Sequence, residues 1–212
     1  SAPVYALVES MVEADEADHV DLAGFVRPVA TYSVTRLKSH SAHPEAQAWK
    51  LKIYTLGQFT LMREGQPIVF SRKVQKRPLD LLKVLIAYGG VRADIATLIA
   101  SLWPDAEGDA AKVAFDSNLH RLRKLIDIED VLTLSEGKLS LDSQRCWVDV
   151  WAFDELVSRI ETIAQRSADI ADAHFADLAT ELLRLYAGHF IEKESQDPWA
   201  VAARDKLRAK FV

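Results

Sequence analysis

The sequence predicts an α+β fold in which short antiparallel strands precede three helices and a β-hairpin, and an all-helical segment follows. Apolar and polar residues alternate over residues 51–70, which is typical of half-buried strands. From residue 75 the apolar residues recur at the three- and four-residue intervals of amphipathic helices. Glycine and proline separate these segments and mark where each element ends.

The strands come first in this region. Leu51 and Ile53 alternate with polar neighbours, and the turn sequence at residues 64–67 (EGQP) separates two further β-rich runs. The pattern predicts three or four short antiparallel strands.

Three helices are predicted to follow, over residues 75–87, 92–103 and 109–126, each with one apolar face that includes Val113 in the third. The residues expected to mark their ends are Gly89 and Gly90 after the first, Asp94 before and Pro104 after the second, and Asp109 before the third.

A hairpin is predicted over residues 131–141, with Gly137 in its turn, and one more strand over 147–150. Strands, three helices and a hairpin in this order predict a winged helix-turn-helix with an N-terminal sheet. Helical patterns then cover residues 151–166, 173–186 and 198–210, and their apolar faces indicate helices stacked as hairpins.

The N-terminal region has a different character. Residues 1–37 predict a short helix, beginning near residues 4–8, and a hairpin, and residues 38–49 predict a polar linker. His40 and His43 stand three apart in that linker, but without a further ligand nearby a solvated linker is the better interpretation than a metal site.

Composition excludes several classes of protein. No apolar run has the roughly 18 residues of a membrane span, and we expect no secretion leader and no membrane partner. Cys146 is the only cysteine, so an internal disulfide is excluded and the chain suits a reducing cytoplasm. We expect Cys146 to be a small buried hydrophobic residue. We find no nucleotide, metal or hydrolase motif, and therefore expect no cofactor, no metal and no enzymatic activity.

The net charge of −5 counts against nucleic-acid binding, but it is unevenly distributed. Residues 1–49, 50–141 and 142–212 carry −4, +3 and −4 respectively. The basic centre coincides with the predicted winged helix.

The third helix of that region has the residue types that read DNA. Arginine can bind guanine, asparagine can bind adenine, and cations bind phosphates. The alternative is a solvated basic helix face with pairing between Asp116 and His120. The candidates for base or phosphate contact are Asn118, His120 and Arg121, those for phosphate alone are Lys112, Arg123 and Lys124, and Ser117 is a further residue outside the apolar face.

Two smaller groups complete the predicted site. Arg72, Lys73, Lys76 and Arg77 precede or begin the first helix and could meet the DNA backbone, although a solvated helix start is equally plausible. Lys138 lies at the hairpin tip, where a wing would probe the minor groove.

Trp103-Pro104-Asp105 is followed by Leu119, Arg121, Leu122 and Arg123. On this motif, the most specific part of the match, residues 50–150 resemble the OmpR-type winged helix, in the variant found in antibiotic regulatory (SARP) and bacterial transcriptional activator domain proteins. The other matching stretches are LKIYTLGQFTL, RPLDLLKVLIAYGG, LIASLWPDAEGDAAKVAFDSNLHRLRKLI and CWVDVWAFDELV. Relatives often have His at the position of Asn118 and Arg at that of His120, so the base preference does not transfer.

The resemblance implies a transcription regulator that binds double-stranded DNA. Residues 151–212 resemble the start of a tetratricopeptide-like activator domain, on LYAGHFIEKESQDPWAVAARDKLR, which implies protein contacts and a possible homodimer. The loop of residues 103–110 corresponds to a segment that can meet RNA polymerase in relatives.

Residues 1–37 resemble the last elements of a class III nucleotide cyclase domain, on VYALV and VDLAGFVRPVATYSV. The residues for cyclase catalysis would lie upstream, so no cyclase activity is expected. Two other functions stay open: a protein-interaction module that does not bind DNA, and the regulatory tail of a cyclase-like signalling protein.

Overall fold

The computed structural model describes residues 12–20, 29–37, 49–70, 76–106, 108–166, 173–193 and 195–211, and the chain divides into two units, 1–48 and 49–212. In the first unit, β1 (Val12–Val20) pairs antiparallel with β2 (Val29–Leu37). A hairpin is therefore present where one was predicted. The helix expected near residues 4–8 and the two linker histidines lie outside the described residues.

The second unit begins with a four-stranded sheet. The strands β3 (Leu51–Tyr54), β4 (Thr60–Arg63) and β5 (Gln66–Pro67) are antiparallel, as predicted. The strand β9 (Cys146–Val148) joins the other edge of β3 in parallel, which no local pattern indicated.

Three helices follow β5: α1 (Lys76–Ala87), α2 (Ile95–Leu102) and α3 (Gly108–Ile126). They confirm the predicted helices to within three residues at each end. Asp94 caps α2 as predicted, because its carboxylate accepts hydrogen bonds from the N–H groups of Ala96 and Thr97. Asp109 does not cap α3: the helix begins one residue earlier, so this carboxylate lies in the first turn near the positive end of the helix dipole.

The predicted hairpin consists of β7 (Leu132–Ser135) and β8 (Lys138–Leu141), and β6 (Ala93–Asp94) pairs with the outer edge of β8. Glu136 and Gly137 have φ angles of 51° and 73°, as a two-residue turn between right-handed twisted strands requires. The N–H of Leu141 donates to Gly90 O, which joins this sheet to the end of α1.

One core lies between the helices and both sheets of this unit. Its completely buried side chains include Leu81 and Leu85 of α1, Leu98 of α2, and Phe115 and Leu122 of α3. Cys146 is also buried, and burial raises the pKa of its thiol to about 12, in agreement with its predicted role as a small hydrophobe. The prediction for Val113 is wrong, because 69% of this residue is exposed.

Helices α4 (Asp149–Arg166), α5 (Ala173–Leu185) and α6 (Pro198–Phe211) form the predicted helical segment. Helix α4 packs on α5, and α6 packs on α1. Among the described residues, no helix combines the length and the apolar character needed to cross a bilayer.

A buried carboxylate joins this segment to the first sheet. Asp149 accepts hydrogen bonds from the N–H of Thr55, from Leu56 N at 2.6 Å, from the Thr55 hydroxyl at 2.7 Å and from Val150 N at 2.8 Å. Burial raises the pKa of this carboxyl, and the same hydrogen bonds oppose the rise. Asp149 therefore connects the end of β3 to the first turn of α4.

Replacing this carboxylate tests how much the connection stabilises the unit. Asp149→Ala is expected to lower the free energy of unfolding by about 3 kcal/mol, because it leaves buried N–H groups of Thr55 and Leu56 without acceptors. The control is Asp154→Ala, which removes a partly exposed pair with Lys210 and should cost less than about 1 kcal/mol. Equal losses in urea titrations of the two variants would contradict the assigned role.

Candidate nucleic-acid interface

Helix α3 is fixed by its inner face. Ala111, Phe115, Leu119, Leu122 and Ile126 are all buried, and the helix packs on both α1 and α2. These residues recur at intervals of three or four, so they line one side of the helix. The opposite side of this 19-residue helix is left to the solvent.

The exposed side carries three of the predicted contact residues. His120, Arg121 and Lys124 are all exposed. Within the part of the chain that the structure describes, neither Arg121 nor Lys124 forms an ion pair. Their positive charges are therefore available to an anionic partner.

Lys112 is also exposed, but its charge is engaged. Its ammonium group lies 2.7 Å from both carboxylate oxygens of Asp116, one turn further along α3. The alternative pairing of Asp116 with His120 is thus replaced by a pairing with Lys112. A phosphate would have to compete with Asp116 for this lysine.

Asn118 does not lie on an outer face, so the predicted placement of this residue is wrong. It is 8% exposed, its Nδ2 donates to Ala114 O at 2.7 Å, and its buried Oδ1 has no partner among the described residues. The spacing contained the signal, since Asn118 stands three residues after Phe115 and four before Leu122. Ser117, its neighbour, is half-buried.

Arg123 is exposed, but its guanidinium group is held by a hydrogen bond. Its Nη2 donates to Leu132 O at 3.0 Å, which ties the last turn of α3 to the first residue of β7. An open groove of about 790 Å³ lies beside Arg123. The groove has basic side chains on α3 and carboxylates after it, and its lining comprises His120, Arg123, Lys124, Asp127, Ile128, Glu129, Asp130 and Leu132.

The hairpin contributes less positive charge than the sequence indicated. Lys138 is half-buried, and the neighbouring Glu136 lies 3.6 Å from the guanidinium of Arg92. Sequence reasoning missed Arg92, whose N–H also donates to the Ser140 hydroxyl at 2.8 Å. Nothing local in the sequence could have placed Arg92 beside the hairpin tip.

The second basic cluster is only partly described. Arg72 and Lys73 lie outside the described residues, and Lys76 is exposed at the first position of α1. Arg77 donates from Nη1 to Leu102 O at 3.3 Å, so it bridges α1 to the end of α2. No group of three or more His, Cys, Asp or Glu side chains in the described ranges could hold a metal ion.

Comparison with known proteins identifies a solved structure with a similar fold. No protein-family model and no curated protein matches the chain. A solved structure of Mycobacterium tuberculosis EmbR, in complex with a low-affinity phosphopeptide, is similar to it with a TM-score of 0.59 at 18% sequence identity. The likeness covers 76% of this chain and 42% of the EmbR chain, so it spans less than half of EmbR.

This likeness shows an α+β fold similar to that of EmbR. It gives no support to the resemblance of residues 1–37 to a cyclase domain, which stays a prediction.

Arg123 of α3 is hydrogen-bonded to the hairpin and Arg121 is not, and the free energy of unfolding can test this difference. Arg123→Ala is expected to lower the free energy of unfolding by about 1 kcal/mol, because the carbonyl of Leu132 loses its donor. Arg121→Ala should stay within about 0.5 kcal/mol of the parent chain, since this exposed guanidinium has no described partner. Urea unfolding of the two variants measures the difference, and a larger loss for Arg121→Ala would contradict this assignment.

Proposed function

We propose that the chain is a DNA-binding part of a transcription regulator, in which residues 50–150 form a winged helix. Helix α3 enters the major groove, and the hairpin of β7 and β8 is the wing. The observation that carries this proposal is the outer face of α3, where Arg121 and Lys124 are exposed without acidic partners among the described residues. Arg123 of the same helix is hydrogen-bonded to the hairpin at Leu132.

The physical argument begins with shape. The major groove of B-DNA is about 12 Å wide and admits one α-helix. Helix α3 can be inserted as a rigid body because its inner face is anchored in the core and Arg123 ties its end to β7. Neutralisation of phosphates then supplies most of the binding free energy, and contacts to base edges supply the preference.

The residues of α3 take different roles in this proposal. Arg121 and His120 reach base edges or phosphates, and Lys124 contacts a phosphate. Lys112 can contact a phosphate only if its ammonium group leaves the ion pair with Asp116. Asn118 is assigned no contact, because its amide faces the core.

The likeness to EmbR supports the same class of function, since EmbR is a SARP-family regulator. We extend the proposal to residues 151–212, as the first part of a tetratricopeptide-like activator domain that binds protein partners or a second copy of the chain. The segment of residues 103–110, which ends in the first turn of α3, is proposed to meet RNA polymerase. No enzymatic reaction is assigned to the chain.

Salt dependence tests the electrostatic part of the proposal. If about four cations contact phosphates, the logarithm of the association constant should fall against the logarithm of the salt concentration with a slope of about −3.6. Mobility-shift titrations at several sodium chloride concentrations measure this slope. A flat dependence, or no binding to any promoter fragment, would refute DNA binding.

Substitution of Arg121 tests the proposed contact surface. Arg121→Ala should weaken binding by about 1–3 kcal/mol and, where Arg121 reads a base, flatten the preference at that position. Lys206→Ala is the matched control, because it removes an exposed cation of α6 rather than of α3. Equal effects of the two substitutions would indicate attraction by the overall charge and not a contact of α3.

A protein-interaction module is the second candidate function. It is favoured by the acidic side chains beside the proposed interface, since Asp116 pairs with Lys112 and Glu136 with Arg92. In that case Arg121→Ala and Arg123→Ala should leave partner binding intact, and no fragment from a random DNA pool should be enriched.

A further inference from the structure

An apolar side chain lies among the polar residues of the outer face of α3. Val113 is 69% exposed, whereas Leu119, Leu122 and Ile126 of the same helix are buried. At 3.6 residues per turn, Val113 shares one stripe of the helix surface with Ser117, His120 and Lys124, which follow it by four, seven and eleven residues.

No described residue covers this valine. Its neighbours on the outer face are Lys112 and Asp116, whose ion pair engages both of their charged groups. An exposed valine needs no explanation by itself, because much of any protein surface is apolar. Its position on the stripe that would face the DNA bases gives it a specific chemical consequence.

We infer that Val113 is a specificity-determining residue that packs against the 5-methyl group of a thymine in the major groove. The inference rests on the proposed function. Thymine is the only one of the four bases that presents a methyl group there, and apolar side chains recognise it by contact. Val113 can neither donate nor accept a hydrogen bond, so a methyl group is the feature of a base edge that it can distinguish.

The stripe thus combines two kinds of recognition. Val113 lies near the beginning of α3, and the basic side chains of His120 and Lys124 lie two to three turns further along. A thymine read by Val113 should therefore stand at one end of the DNA segment that α3 covers, and the positions contacted by the basic residues should stand toward the other end.

The experiment removes the methyl group from the DNA and the valine methyl groups from the protein. Sequences bound by the full 212-residue chain are selected from a random duplex pool, and each thymine of the selected site is replaced in turn by deoxyuridine, which lacks only the 5-methyl group. Binding is then measured for the parent chain, for Val113→Ala and for Val69→Ala. The last variant truncates another exposed valine, 86% exposed and outside α3.

At one thymine, deoxyuridine should weaken binding of the parent chain and of Val69→Ala by about fourfold, the equivalent of one buried methyl group. Val113→Ala should show less than about a 1.5-fold change at that position while retaining the same salt slope. When a C·G pair replaces the T·A pair at that position, 5-methylation of the cytosine should strengthen binding only if Val113 is present.

The outcomes separate this inference from the proposed function. If the chain binds selected DNA with a salt slope, but no deoxyuridine effect depends on Val113, the thymine contact is wrong and DNA binding stands. If no DNA is bound at all, both are wrong. Thermal unfolding of Val113→Ala should match that of the parent chain, because the removed methyl groups are exposed.

Discussion

The arrangement of the second unit depends on the buried carboxylate of Asp149. It accepts hydrogen bonds from the backbone N–H groups of Thr55 and Leu56 and from the N–H of Val150, so one side chain supplies the acceptors for a strand end and a helix start. Hydrogen bonds between backbone groups fix the neighbouring residues: Gly57 N donates to His189 O, and Ile191 N donates to Thr55 O. The sheet, α4 and the segment after α5 thereby meet at residues 55–57.

This connection leaves α3 outside the contacts that hold the helical segment. Helix α6 packs on α1, and α4 packs on β3 and β9, whereas α3 is packed on its inner side by α1 and α2. The two faces of α3 therefore serve different purposes. The buried face, with Phe115 and Leu122, fixes its position, and the opposite face is available to a partner.

The cations around α3 divide into three groups according to what they contact. Arg77 and Arg123 donate to backbone carbonyl groups and hold elements together, and Lys112 and Arg92 pair with nearby carboxylates. Arg121 and Lys124 do neither within the described residues. The count of basic residues in a sequence thus overestimates the charge that a surface can offer to DNA, because hydrogen bonds and ion pairs within the protein use part of it.

The sequence by itself determined the order and type of β3–β5, α1–α3, the hairpin of β7 and β8, and α4–α6, because these depend on local properties: apolar periodicity, the cap at Asp94 and the glycine turn at Gly137. It also identified α3 as the helix with exposed basic residues. It did not predict the strand β6, whose two residues lie within the range of a predicted helix. Only the tertiary structure decided that β9 joins β3 in parallel, that β6 pairs with β8 and that Asp149 accepts hydrogen bonds from Thr55 and Leu56. These features depend on which elements pack together, and contacts between residues far apart in the chain leave no periodic signal in a single sequence.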